Sequence, residues 1–149
     1  LCLRALEGIL RGGEAVLDVG TGSGILGIAA LLLGADHAVC TDIDAQSVKT
    51  ARENAALNGV ADRFTAECGD LLAGVQGTYD VVTANIVADV VIELLGVVTP
   101  LLRRDTVLIL SGIIKEREMD VQDAIVQNGF RILYVDTMKE WVCIVISQA

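Results

Sequence analysis

VLDVGTGSGILG, residues Val16 to Gly27, contains two overlapping glycine motifs. In one register Gly22-Ser-Gly24-Ile-Leu-Gly27 is G-x-G-x-x-G, the loop that receives the pyrophosphate of NAD on backbone amides. In the other, Asp18-Val-Gly20-Thr-Gly22-Ser-Gly24 is D-x-G-x-G-x-G, an acidic loop suited to a cationic ligand. Either way the loop follows an apolar strand, Ala15–Val19, and opens a helix. That places a ligand beyond the carboxyl end of the strand. The two readings differ in the charge the ligand carries.

Outward from this stretch, helix and strand patterns alternate. Upstream, Leu1–Leu10 reads as an amphipathic helix ended by Arg-Gly-Gly. Downstream, a helix from Gly24 to Leu33 precedes a strand, Ala38–Asp42. Asp44 then caps a helix that runs through Leu57 and closes at Asn58-Gly59. Phe64–Cys68 and Asp80–Ala84 read as further strands. An apolar helix is expected from Ala88 to Leu102, interrupted at Pro100. The strand Thr106–Leu110 is expected to stop at Ser111-Gly112, and a helix to fill Glu116–Gln127. Arg131–Val135 and Trp141–Ile146 lie too close for a crossover, so they should pair antiparallel. Five βα units and a terminal hairpin predict an α/β fold: a doubly wound, mostly parallel seven-stranded sheet. With 149 residues and no linker or repeat, residues 1–149 read as one domain.

Composition agrees with this layout. Hydrophobic residues make up 53% of the chain but aromatics only 3%, so the core must be mostly aliphatic. The longest apolar run, Ile25 to Ala35, is shorter than the ~20 residues of a membrane helix, and no signal peptide is evident. A formal net charge of −9 disfavours nucleic acid as a partner, because phosphate backbones are bound through Lys and Arg. Cys2, Cys40, Cys68 and Cys143 form no C-x-x-C pair and read as reduced thiols of a cytoplasmic protein, with no metal site expected. His37, the one histidine, reads as a surface residue. The first residue is Leu and the opening helix starts in mid-pattern, so the chain reads as a fragment.

The strand ends supply the candidate ligands. Asp18 should sit beside the bound molecule, and two charges 4 Å apart interact by about 4 kcal/mol at an effective dielectric of 20. The sign is unfavourable for a diphosphate and favourable for the ammonium and sulfonium of S-adenosylmethionine. On that reading Gly20, Gly22 and Gly24 shape the cofactor loop, and the companion G-x-G-x-x-G is incidental. Asp42, 22 residues after Gly20, can accept both ribose hydroxyl protons, a feature shared with NAD enzymes. Asp44 reads as a helix cap. Asp70 can accept from the adenine amino group or cap its own loop. Asn85, at the end of the fourth strand, can orient an incoming amine, contact the cofactor, or simply form a turn.

DVGTGSGIL, CTDID and ANIVAD, in this order and spacing, resemble the class I S-adenosylmethionine-dependent methyltransferases. More narrowly, LCLRALE, ANIVADVVIELL, LILSGII and EWVCIVI are similar to the catalytic domain of the ribosomal protein L-eleven methyltransferase (PrmA) family. The resemblance implies a Rossmann-like methyltransferase fold and S-adenosylmethionine as cofactor, with Gly20, Asp42 and Asn85 on it. It also implies methylation of lysine side chains and the α-amine of a large-subunit ribosomal protein. The family's amino-terminal substrate-binding domain is absent from these residues, as is the Thr-containing loop that precedes LCL. LLRRDTVLIL stands where the family has a Pro-Gly-Gly turn. A polypeptide beginning at Leu1 would be expected to bind cofactor and methylate protein poorly.

The alternatives are an RNA or small-molecule methyltransferase, a cofactor-binding domain without activity, and an NAD-dependent dehydrogenase. NIVA lacks the prolines and aromatic of base-amino methyltransferases, which stack a flipped base. No hydride-transfer His or Lys is evident for a dehydrogenase.

Overall fold

The computed structural model describes residues 1–149. Seven strands form one sheet: β1 (Ala15–Val19), β2 (His37–Asp42), β3 (Phe64–Cys68), β4 (Tyr79–Asn85), β5 (Leu102–Ile114), β6 (Phe130–Met138) and β7 (Trp141–Gln148). Their order is β3-β2-β1-β4-β5-β7-β6. The first five run parallel, and β7 is antiparallel to both β5 and β6. The order reverses between β1 and β4, so the crevice of a doubly wound sheet opens where Val19 and Asn85 end their strands.

Five helices cover the two faces: α1 (Cys2–Ile9), α2 (Ile25–Leu32), α3 (Ala45–Leu57), α4 (Ala88–Leu95) and α5 (Glu118–Gln127). Alternation along β1 separates two cores. Leu17 and Val19 pack with α4 and α5, whereas Val16 packs with α1, α2 and α3. The largest fully buried side chains are all Leu or Ile, as the scarcity of aromatics requires. No helix is long and apolar enough to cross a membrane.

Three sequence expectations need correction. α4 ends at Leu95 rather than Leu102, since Gly96 caps it and Pro100, which has no N–H, opens a 3-10 turn over Thr99–Leu101. β5 begins at Leu102 and continues through Ser111-Gly112 to Ile114 instead of stopping there. Gly112 takes a φ of 77° in a bulge where the β5–β7 register shifts, and pairing then resumes at Ile113. β3 is followed by turns rather than by a helix, so one of the five expected βα units lacks its helix. In place of a Pro-Gly-Gly turn, Thr106 closes the irregular start of β5. Its hydroxyl accepts from Arg103 N–H at 2.7 Å and donates to the Tyr79 carbonyl at 2.5 Å.

Candidate cofactor and acceptor site

The glycine loop is held almost entirely by its own protein. Gly20 and Thr21 N–H donate to the Thr41 carbonyl at 2.9 and 2.8 Å, and Gly24 N–H to the Thr21 carbonyl at 3.0 Å. Gly22 N–H donates to Asp42 Oδ2 at 2.9 Å. Asn54 of α3 donates to the Ser23 carbonyl at 2.9 Å. These bonds need the left-handed backbone of Gly20, Gly22 and Gly24, with φ of 72°, 58° and 85°. Of the five amides from 20 to 24, Ser23 alone has no internal acceptor. A loop with its donors already used is a poor cradle for a diphosphate. Gly27 has a separate purpose. A side chain there would collide with Cys40 Sγ, so the glycine lets α2 lie close on β2. The G-x-G-x-x-G match is therefore not incidental, since its last glycine serves helix–sheet packing.

Asp18 requires a correction. The sequence places it at the strand end beside the ligand, but it is 1% exposed, so its charge is sealed from a ligand by the packing around it. Thr83 Oγ1 donates to its Oδ1 at 2.6 Å. Asp18 Oδ2 has no hydrogen-bond partner, nor have the buried hydroxyls of Thr21 and Thr41. Burial pushes the Asp18 carboxyl up to about 6; the Thr83 and Thr21 hydroxyls oppose that rise, and Asp42 adds to it. The case against a diphosphate therefore passes from the Asp18 charge to the occupied amides.

Asp42 is half-buried at the end of β2. Its Oδ2 takes the Gly22 amide, and its Oδ1 takes Asp44 N–H at 2.9 Å. Each oxygen keeps a further lone pair for a ligand hydroxyl. Asp44 caps α3 as expected, accepting from Gln46 N–H at 3.0 Å. Gly69 N–H donates to the Asp42 carbonyl at 2.9 Å, which brings Asp70 alongside. The exposed Asp70 carboxylate bonds to no protein group, so it does not cap its loop. Two carboxylates, Asp42 and Asp70, thus stand at the ends of the neighbouring strands β2 and β3.

Beyond the switch point lies a cleft of about 1040 Å³. Its walls come from Leu1–Leu3, Ile25–Leu26, Asn85–Asp89, the β5 bulge and the β6–β7 turn. Asn85 is the one expected site residue on these walls, and its amide is exposed without a hydrogen bond. Ile86 links cleft and loop. A Cβ on Gly20 would lie 2.5 Å from Ile86 Cγ2, and one on Gly112 would lie 2.8 Å from Asn85 Oδ1. The cleft also holds Arg117, bonded to Asp89 at 2.6 Å and to Asp120 at 2.8 Å, and Trp141 on the terminal hairpin. Sequence reasoning missed both. Arg117 has no motif, and the hairpin turn reaches the cleft only because β7 inserts beside β5. His37 is exposed, bonded to Asp36 alone.

The whole of this site, residues 1–149, matches the family described as Ribosomal protein L11 methyltransferase (PrmA). The chain belongs to the PrmA family. A PrmA relative named ribosomal protein L11 methyltransferase, from Halalkalibacterium halodurans, is 44% identical over 97% of this chain and 46% of its own length. A relative of the same name from Heliobacterium modesticaldum is 43% identical over 100% of this chain and 47% of its own. The crystal structure of ribosomal protein L11 methylase from Lactobacillus delbrueckii subsp. bulgaricus superposes with a TM-score of 0.95. It is 36% identical, over 99% of this chain and 76% of that one. The chain thus spans about half the length of the curated relatives it matches. PrmA membership carries S-adenosylmethionine as cofactor and a Rossmann-like methyltransferase fold.

Proposed function

We propose that residues 1–149 are the methyl-transferring domain of a protein N-methyltransferase. In this reading they carry methyl groups from S-adenosylmethionine to lysine side-chain and α-amino groups of ribosomal protein L11. The observation that carries it is an unbonded Asn85 amide on the wall of the cleft, next to a glycine loop in which all amides from 20 to 24 but that of Ser23 are already used. The family match over the full chain and the names of its relatives support the acceptor.

S-adenosylmethionine, when bound, brings a methyl group already activated by its sulfonium. The residues then have to bind, orient and desolvate. Gly20, Gly22 and Gly24 shape the cofactor side, Asp42 offers lone pairs to the ribose hydroxyls, and Asp70 offers a carboxylate to the adenine amino group. Asp18 acts from beneath, as a support of the loop and not as a contact. Asn85 positions the amine. Holding the reactants in line can lower a barrier by about 7–11 kcal/mol. The amine must also be neutral. A lysine of pKa about 10.4 costs about 4.6 kcal/mol to deprotonate at pH 7, against about 1 kcal/mol for an α-amine near 7.8. Burial in a cleft lined largely by apolar side chains lowers that cost.

Calorimetry with S-adenosylmethionine, S-adenosylhomocysteine and NAD, followed by transfer to purified L11, tests the reading. Tighter binding of NAD would overturn it. A second reading is a domain that binds the cofactor without transfer. Affinity for both adenosyl ligands with no methylated L11 would select that one.

A further inference from the structure

We propose that Thr83 is a positioning residue whose hydroxyl, bonded to Asp18 across the switch point, holds the cofactor loop and Asn85 in one rigid unit. The proposal rests on the cofactor reading above and extends it to a residue with no place in the glycine motif. Asp18 and Thr83 are directly paired between β1 and β4, with Val19 and Ala84 the next pair. Gly20 and Asn85 follow, each two residues beyond the bond. Thr83 is 0% exposed and Asp18 1%, so water cannot replace the contact at 2.6 Å. It is the one hydrogen bond the Asp18 side chain has, for Oδ2 is unpartnered and the Thr21 hydroxyl faces the carboxylate without hydrogen-bond geometry. One residue beyond Asn85, Ile86 packs against Gly20. The two loops are therefore joined at the sheet by the hydroxyl and above it by the isoleucine.

Valine matches threonine in shape and branching and removes only the oxygen. Without it, nothing with good geometry offsets the burial of the carboxylate. The ionisable groups near enough to act on Asp18 are Asp42 at the end of β2, Cys40 on β2 and Cys2 on α1. Burial pushes both thiols far up, Cys2 to about 12, so they stay neutral across the working range. Asp42 adds repulsion and is unchanged by the substitution.

The test uses the full chain as wild type, T83V and T83S. Carboxyl-carbon NMR of the cofactor-free protein follows Asp18 through its titration. Calorimetry with S-adenosylhomocysteine at pH 6.5, 7.5 and 8.5 gives the affinity ratio of variant to wild type. Loss of one hydrogen bond to a charged group should raise the T83V midpoint by about one unit, from about 6 to about 7, and so weaken binding about threefold at pH 6.5. The ratio should recover toward pH 8.5, and T83S should restore both readings. An unmoved midpoint, a ratio flat with pH, or no rescue by serine would overturn the proposal and leave Thr83 a packing residue. If T83V fails to fold, T83A is judged by the same two readings. Wild type that does not bind S-adenosylhomocysteine would sink the cofactor reading instead, while the NMR midpoint would still decide whether the hydroxyl governs Asp18.

Discussion

Asn85 is exposed and makes no side-chain hydrogen bond, so its amide contributes nothing that folding requires. Asn85→Ala should leave stability within about 0.5 kcal/mol, as for a surface change. Methyl transfer should fall about 100-fold through lost alignment of the amine. Steady-state kinetics beside urea unfolding will show whether the two separate; equal loss of both would make Asn85 structural. Gly20 and Gly22 offer a sharper contrast, because both hold positive φ but have different surroundings. A Cβ on Gly22 meets nothing within 4 Å, whereas on Gly20 it meets Ile86. Gly22→Ala should cost about 1–2 kcal/mol for the left-handed backbone alone. Gly20→Ala should cost that and also displace Ile86, so that S-adenosylmethionine affinity falls at least tenfold further. Calorimetry on the two variants decides, and equal affinities would remove Ile86 from the argument.

Among the elements, β1 and β3 were legible residue for residue, since each is a short apolar or alternating run ended by glycine. The candidate residues could be placed for the same reason: Asp42 and Asn85 end their strands, and strand ends can be read. The β5 bulge was not. Gly112 reads locally as a stop, and only the pairing of Ile113 and Ile114 with Val142 and Trp141 carries the strand past it. The same non-local pairing hid the cleft wall at Trp141. In the other direction, an Asp at a strand end looks like a ligand contact, and only tertiary packing shows that Asp18 is sealed beneath the loop. The bulge also makes a prediction. A side chain at Gly112 would lie 2.8 Å from Asn85 Oδ1, 2.8 Å from the Ile86 carbonyl oxygen and 2.9 Å from its nitrogen. Gly112→Ala should therefore cost about 2 kcal/mol or more and abolish transfer, by moving the loop that carries Asn85. A variant with wild-type kcat and urea midpoint would show that the bulge does not support the site.

For the molecule as a whole, the buried Asp18 charge couples folding to pH. In the folded state the carboxyl is raised from 3.8 to about 6, first by burial and then by Asp42, against the opposing hydroxyls. The folded chain therefore binds this proton more tightly than the unfolded chain. Its contribution to stability is fully present below about pH 3.8 and is lost as pH rises to about 6. A shift of that size corresponds to about 3 kcal/mol, a large share of the ~5–15 kcal/mol that holds a domain folded. Asp80 works in the opposite direction. Burial pushes its carboxyl up, but the Ala15 amide and Arg103 outweigh this and hold it below its usual value, so its contribution is lost on acidification. A pH curve of the wild type alone would mix the two. Asp18→Asn isolates the first, because the amide keeps the shape, still accepts from Thr83, and offers a donor toward the unpartnered Thr21 oxygen. Urea unfolding from pH 3.5 to 7.5 should show the variant gaining on wild type by about 3 kcal/mol between pH 4 and 6, then running parallel to it. A protein that is more stable without this carboxylate but binds S-adenosylmethionine less well would have its charge retained for the loop and not for the fold. A gap that stays constant across the range would mean that Asp18 is not the buried titrating group that its burial makes it.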